Sequence, residues 1–244
     1  MNTSSIDYHA LYKIQDRVIS ALSDLLDGFY LTGGTALDRF YLHHRYSEDL
    51  DFFINDSDEY SAKVNAIYRK LKDSFSLDEA LTLQTDTYTR FYLAEPDKLK
   101  IDIVNDVPEH WGALNYAMSI QIDNPANILS NKLGTIVSRD EPKDLFDIII
   151  LSETYSFNWK EVFLQTKRKQ IINETDIAMR ISSFPVKLMM HRTWSKVLIN
   201  SDDIETKLNT IADDFIFARD NSLGRGKAQI ETARIRFKSK KAKY

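Results

Sequence analysis

The chain has 244 residues, 43% of them hydrophobic and 28% charged, and a formal net charge of −4, a composition that fits a globular protein of one large domain or two small ones. It contains no cysteine, which excludes disulfides, thiolate metal sites and cysteine nucleophiles and fits a cytoplasmic protein. No apolar run reaches the ~18 residues of a membrane span, and the N-terminal MNTSSIDYHALYK lacks the basic start and apolar core of a secretory signal, so no membrane partner is expected.

In chain order, Leu11, Ile14, Val18, Leu22 and Leu25 recur at helical spacing within residues 7–27, and Gly28 ends that helix. FYLT is a short strand, Gly33 and Gly34 make a turn, and Thr35 caps a helix running to about His43. DLDFFI is the next strand, and SDEYSAKVNAIYRKLKDSF is a helix. ALTLQTDTYTRFYLAE and KLKIDIVND alternate apolar and polar residues as strands do, with EPDK as the hairpin turn between them. From about residue 124 the texture becomes helical. NPANILSNKLGTIVSRD and EPKDLFDIIILSETY each open on a proline, and NWKEVFLQTKRKQ, ETDIAMRISSF and DIETKLNTIADDFIFARD follow. His43 and His44 are read as helix-end residues rather than ligands. Trp111, Trp159 and Trp194, widely spaced, are read as core or interface residues.

Charge is unevenly spread. From Arg225 to Tyr244 eight basic residues face one acid, so the remaining chain carries a net −11. A basic tail on an acidic body is suited to RNA or to an acidic partner, and also to a solvated chain end.

Three aspartates sit where strands seldom carry them. Asp49 and Asp51 are two residues apart, so on one strand both point to the same face. Two like charges at that spacing repel unless a cation lies between them, and a hard divalent ion with oxygen ligands resolves the conflict. Asp102, between Ile101 and Ile103, completes a three-carboxylate site if its strand neighbours DLDFF. Upstream, Gly33 and Gly34 allow backbone N–H groups to approach a phosphate, and Thr35 offers a hydroxyl. Arg45 and Ser47 lie between the turn and the acid pair, where they can bind phosphate; Arg45 is equally suited to a structural ion pair.

A glycine turn, a helix, Asp-x-Asp on a strand and a later strand aspartate resemble the nucleotidyltransferase superfamily. YLTGGTALDRFYLHHRYSEDLDFF is similar to the AbiEii/AbiGii-type nucleotidyltransferase toxins, with their Gly-Gly-Thr-Ala-Leu and Arg-x-Ser-x-Asp-Leu/Ile-Asp-Phe. Arg45, Ser47, Asp49, Leu50, Asp51 and Phe52 match, and Tyr46 fills a variable slot. Further on, Lys132 matches the family's helical lysine, Arg139 its arginine, and Lys143, Asp144 and Asp147 of KDLFD its Lys-Asp-Leu-x-Asp element. The motifs span about Tyr30 to Leu151, and the helical remainder matches none.

The resemblance implies an α+β fold: a nucleotidyltransferase-like mixed sheet with helices over 1–123, followed by a mainly α-helical domain over 124–244. It implies a nucleotidyltransferase that moves an NMP from an NTP to RNA, tRNA or protein with Mg²⁺. It also implies the toxin role in an abortive-infection toxin–antitoxin pair, with a cognate antitoxin as partner. Asp49, Asp51 and Asp102 are the expected metal ligands, with Asp102 holding a second metal or acting as base. Gly33, Gly34, Thr35, Arg45, Ser47 and Lys132 are the expected nucleotide contacts, and Asp144 supports catalysis. Taken without the family pattern, Lys132 is a snorkelling surface lysine and Asp144 a first-turn acid. An antibiotic-type nucleotidyltransferase acting on a small molecule, or a non-catalytic nucleotide-binding module of the same fold, are the alternatives. The intact acid triad argues against the latter.

Overall fold

The computed structural model describes residues 6–94, 98–190 and 193–236. The chain forms two compact units, one of residues 1–35 with 46–124 and the other of residues 36–45 with 125–244. The second unit thus takes a ten-residue segment from the N-terminal half of the sequence. Residues 95–97 of the expected EPDK turn, and the basic tail from residue 237 onward, lie outside the described residues.

The first unit is built on a mixed sheet. Helix α1 (Tyr8–Leu22) starts at Asp7, whose side chain accepts from the amides of His9 and Ala10. It tightens into a 3₁₀ turn at Ser23–Leu25, and Gly28 turns the chain with φ 81°. Strand β1 (Tyr30–Thr32) leads into the short helix α2 (Gly33–Ala36). The expected α-helix to His43 widens instead to i→i+5 bonding over Leu37–Leu42, closed by His43 N–H to the carbonyl of Asp38 at 3.1 Å, with His43 itself left-handed at φ 53°. Strand β2 (Leu50–Asn55) begins just after Asp49, and helix α3 (Tyr60–Ser74) follows. The strands β3 (Leu83–Gln84), β4 (Tyr88–Leu93), β5 (Leu99–Asp106), β6 (Asn115–Ala117) and β7 (Ile120–Ile122) complete a sheet of order β3-β4-β5-β2-β1-β7-β6. β2 pairs parallel with β5 and antiparallel with β1, and β4 pairs antiparallel with β5.

Alternation separates the two faces of this sheet. Leu50, Phe52 and Ile54 of β2, Ile101 and Ile103 of β5 and Phe91 of β4 are buried, together with Val18, Ile19 and Leu22 of α1 and Val64, Ile67 and Leu71 of α3. Each such side chain contributes about 1.5–3 kcal/mol of burial. Tyr60 ties α3 to the sheet by donating to the carbonyl of Ile103 at 2.8 Å. The intervening residues of β2 and β5 face the other way, and that face carries the acids.

The second unit is helical: α4 (Pro125–Thr135), α5 (Pro142–Thr154), α6 (Trp159–Lys169), α7 (Glu174–Ser182) and α8 (Ser201–Ile216). Asn158, Asn173 and Asn200 cap α6, α7 and α8 by accepting backbone N–H groups, and Glu141 does so ahead of Pro142. Each cap is worth about 1 kcal/mol. Trp159, fully buried, packs edge-on against Phe157 and Phe215, and Phe163 meets Phe215 the same way. Trp194 is also buried, edge-on to Phe146.

Candidate active site

The register of the sheet places the first unit's polar residues in a row. Thr32, Asp51, Asp102 and Arg90 are direct partners on β1, β2, β5 and β4. Opposed residues on paired strands leave the same face, so Asp51 and Asp102 stand side by side. Two residues earlier on each chain, Asp49 and Lys100 stand together, with Lys100 Nζ 2.7 Å from Asp49 Oδ2 and 3.4 Å from Asp102 Oδ2. Arg90 donates from Nε to Asp102 Oδ1 at 2.7 Å and from Nη2 to Oδ2 at 2.9 Å, and the Tyr88 hydroxyl donates to Oδ1 at 3.0 Å. At the β1 end, Thr32 Oγ1 donates to the buried Asp123 at 2.5 Å, whose other oxygen meets His110 Nε2 at 3.0 Å.

Burial alone would push the Asp102 carboxyl up, but the Arg90 hydrogen bonds and the charge of Lys100 hold it below the usual carboxylate range. Lys100 is shifted the other way. Burial works against its charge, and the hydrogen bond and charge of Asp49 outweigh it, raising the ammonium above its ordinary value. Tyr88 is raised by burial and by the charge of Asp102.

Gly33 has φ 68°, and a Cβ built there would lie 2.8 Å from Asp51 Oδ2. The carboxylate therefore rests where any other residue would put a side chain. The position needs glycine twice, for its left-handed backbone and for that close approach. Gly34 follows as the second residue of α2. Thr35, expected at the phosphates, is fully buried and donates its hydroxyl to the backbone carbonyl of Asp49 at 2.5 Å. It pins the glycine turn to the start of β2. Ser47 is buried too, its N–H donating to the Tyr12 hydroxyl and its carbonyl accepting from Gln15 Nε2, each at 3.2 Å. Both residues thereby hold the Asp49 segment against its own unit.

The donor set fits a hard divalent cation: Asp49, Asp51 and Asp102 supply only oxygen, from register-adjacent positions. In this conformation Asp49 pairs with Lys100 and Asp102 with Arg90. Among the described residues no group of three or more His, Cys, Asp or Glu side chains is gathered as an ion would gather it. Lys100 and Arg90 supply the cationic charge that the acids require.

The second unit holds the remaining expected residues in a cluster of its own. Asp147, fully buried on α5, accepts from Arg45 Nε at 2.6 Å and Nη2 at 2.7 Å and meets His44 Nε2 at 2.6 Å and Lys132 Nζ at 2.7 Å. Lys132 also donates to Asp144 Oδ1 at 2.8 Å, and Arg139 donates to Asp144 Oδ2 at 2.7 Å. Lys132 is therefore a buried ion-pair partner, not a snorkelling surface lysine. Burial opposes every charge here, yet Arg45 and Lys132 hold Asp147 well below the carboxylate range, while Asp144 and Asp147 raise Lys132. Arg139 and Lys132 likewise lower Asp144. Arg45, expected at the phosphates, closes its guanidinium fork on Asp147. His44 follows the end of the Leu37–Leu42 segment. It is buried, its neighbour His43 takes the left-handed turn, and desolvation lowers its pKa.

Sequence reasoning left out Lys100, Arg90 and Tyr88, and read His44 only as a helix-end residue. A signal existed for Lys100, which lies two residues before Asp102 and so shares its face. Arg90 needs the hairpin register, and His44 needs the tertiary fold.

The model of the AbiEii family, described as nucleotidyl transferase toxins of type IV toxin–antitoxin systems, matches residues 17–221. No curated protein matches by sequence. Among solved structures, JHP933 from Helicobacter pylori is similar at a TM-score of 0.56 and 22% identity, over 86% of this chain and 92% of that one. The nucleotidyltransferase toxin MenT4 from Mycobacterium tuberculosis H37Rv is similar at 0.53 and 14%, over 87% and 84%. These likenesses carry the fold, and the family match carries the assignment: the chain belongs to the AbiEii family of nucleotidyltransferase toxins.

Proposed function

We propose that the acid row of the first unit transfers a nucleoside monophosphate from an NTP to a hydroxyl of an RNA, tRNA or protein acceptor, with Mg²⁺ held by Asp49, Asp51 and Asp102. The acceptor hydroxyl loses its proton to solvent water as its oxygen bonds to the α-phosphorus, the bond from the α-phosphorus to the bridging oxygen breaks, and pyrophosphate leaves with that oxygen. Asp49, Asp51 and Asp102 would hold Mg²⁺, whose positive charge would offset the negative charge of the triphosphate oxygens as pyrophosphate departs. The observation that carries the reading is the register-paired Asp51 and Asp102, with Gly33 pressed against Asp51.

The chain's own residues do the positioning. Gly33 and Gly34 leave the backbone bare beside Asp51, giving phosphate oxygens room to approach. Thr35 fixes that turn to Asp49. Asp102, held ionised by Arg90 and Lys100, suits a ligand better than a base, because a depressed carboxyl accepts a proton poorly. Lys132, Asp144, Asp147 and Arg45 act in this reading as the ion-pair frame that fixes α4 and α5 in the helical unit. The type IV family implies a cognate antitoxin as partner.

The test is transfer of label from each of four α-³²P NTPs, with Mg²⁺, to total RNA, to a protein extract or to aminoglycosides. Label on RNA or protein, lost in Asp51→Asn, is the expected result. Label on an aminoglycoside moves the protein to the antibiotic-type reading, and no transfer to any acceptor overturns the enzymatic one.

A further inference from the structure

We infer that Lys100 is a built-in counter-cation of the acid row, whose ammonium sits between Asp49 and Asp102 and must be displaced before a divalent ion can load. This rests on the reading of Asp49, Asp51 and Asp102 as the metal ligands, and adds a residue that sets how readily they take a metal.

Geometry singles out Lys100. Its ammonium contacts two of the three carboxylates, Asp49 at 2.7 Å and Asp102 at 3.4 Å. A divalent ion held by Asp49 and Asp102 would need the same carboxylate oxygens. Arg90 is a different neighbour. Its planar fork makes two hydrogen bonds to Asp102 alone, reinforced by Tyr88 on the same carboxylate. Such a fork resists displacement because both bonds must break together. Lys100 has a point charge on a flexible stem, and its longer contact, at 3.4 Å, is stretched. Its side chain is 24% exposed and that of Asp49 39%, so an ion has access and the displaced ammonium has water to enter.

Two consequences follow from the charges. With no metal, Lys100 relieves the repulsion among the three carboxylates, so its removal should destabilise the metal-free protein. Toward metal it competes, both for the oxygens and as a like charge, so its removal should strengthen metal binding. A merely structural lysine predicts the first effect without the second, and this pair of signs identifies the role.

The experiment titrates the full-length protein, without nucleotide, with Mn²⁺ and follows free ion by electron paramagnetic resonance. Lys100→Met removes the charge at similar length. Lys100→Arg retains it. Lys72→Met removes a positive charge from the exposed Lys72–Glu79 pair of the same unit, as a control for net charge. Lys100→Met should bind Mn²⁺ at least about tenfold more tightly than the unaltered protein, the scale of one unit charge removed from about 4 Å in a partly screened site. Lys72→Met should match the unaltered protein, and Lys100→Arg should lie near it. In melting experiments Lys100→Met should unfold at lower temperature in chelator, and Mn²⁺ should raise its midpoint by more than it raises that of the unaltered protein.

If Lys100→Met melts lower but binds Mn²⁺ no more tightly, the lysine is structural and the inference falls while the metal site stands. Equal tightening in Lys72→Met would assign the effect to overall charge and also overturn it. Should neither the unaltered protein nor Lys100→Met take up Mn²⁺, with Asp51→Asn indistinguishable from both, the metal-site reading itself fails and the inference with it.

Discussion

The two units solve the same electrostatic problem in opposite ways. Each gathers aspartates with a lysine and an arginine. In the first, Asp49, Lys100 and Arg90 have side chains 39%, 24% and 33% exposed, so the pairing can be exchanged for another cation. In the second, Arg45, Lys132 and Asp147 are 4%, 7% and 0% exposed, and water is too scarce to replace a lost partner. An ion pair near solvent is weak and exchangeable, whereas a buried one is costly to break whatever its net worth. The first arrangement is suited to binding and the second to holding a shape.

That contrast predicts opposite responses to removing one acid. Asp51→Asn should lower nucleotide transfer by about 100- to 1,000-fold, the scale seen when a group that stabilises transition-state charge is lost. Its melting midpoint should stay level or rise, because one like charge has gone from the row. A clear fall in midpoint would make Asp51 structural and erase the distinction. Asp147→Ala should cost about 3–5 kcal/mol in urea unfolding, since Arg45, Lys132 and His44 would lose a shared buried partner. A loss well below 1 kcal/mol would mean that water enters the cluster, and the second unit would then resemble the first. Gly33→Ala joins the two behaviours. Its left-handed φ of 68° costs about 1–2 kcal/mol for a residue with a Cβ, and that Cβ would meet Asp51 Oδ2 at 2.8 Å. The variant should therefore be mildly destabilised and lose transfer far beyond what its stability explains. Unchanged transfer would show that the carboxylate moves freely.

Much of this was legible in the sequence because it rests on short-range rules. Alternation in DLDFFI and KLKIDIVND set the shared face of Asp51 and Asp102, and the glycine pair announced a turn. What stayed hidden has physical reasons. Strands β6 and β7 are three residues each and joined through Met118 and Ser119, both at positive φ without glycine or asparagine, so no hairpin signature marks them. The i→i+5 bonding at Leu37–Leu42 breaks no propensity rule. Residue type points Thr35 to phosphate and leaves Arg45 open between phosphate and a structural ion pair, because a hydroxyl or guanidinium bonds whichever oxygen the fold brings nearest. Here those oxygens belong to Asp49 and Asp147. Lys132 shows the same lesson inverted, since a lysine on a mostly apolar helix could snorkel or be buried, and only the acids of α5 decide.

The smallest expected effect is also the most specific to the buried cluster. His44 Nε2 meets Asp147 Oδ1 at 2.6 Å, and its Nδ1 is buried with no hydrogen-bond partner among the described residues. A carboxylate only accepts, so the neutral ring carries its proton on Nε2. Protonating Nδ1 would bury an unmatched donor and a further charge beside Arg45, and burial accordingly lowers the His44 pKa. In the unfolded chain the imidazole titrates near its ordinary pKa, about 6.5. The unfolded state therefore binds the proton first as pH falls, and stability drops from about pH 6.5 down to the folded pKa. The slope approaches about 1.4 kcal/mol per pH unit for one proton. Asp144 and Asp147, both depressed, act in a lower window: their contribution is whole above about pH 4 and fades as pH falls further. Urea unfolding at about pH 7.5, 6.5 and 5.5, and again below pH 4, separates the two. His44→Gln, which can still donate to Asp147 but cannot titrate, should flatten the loss between pH 6.5 and 5.5 and leave the acid-range loss intact. An unchanged slope in that variant would mean that another group sets the acid sensitivity and that His44 is charged in the folded protein.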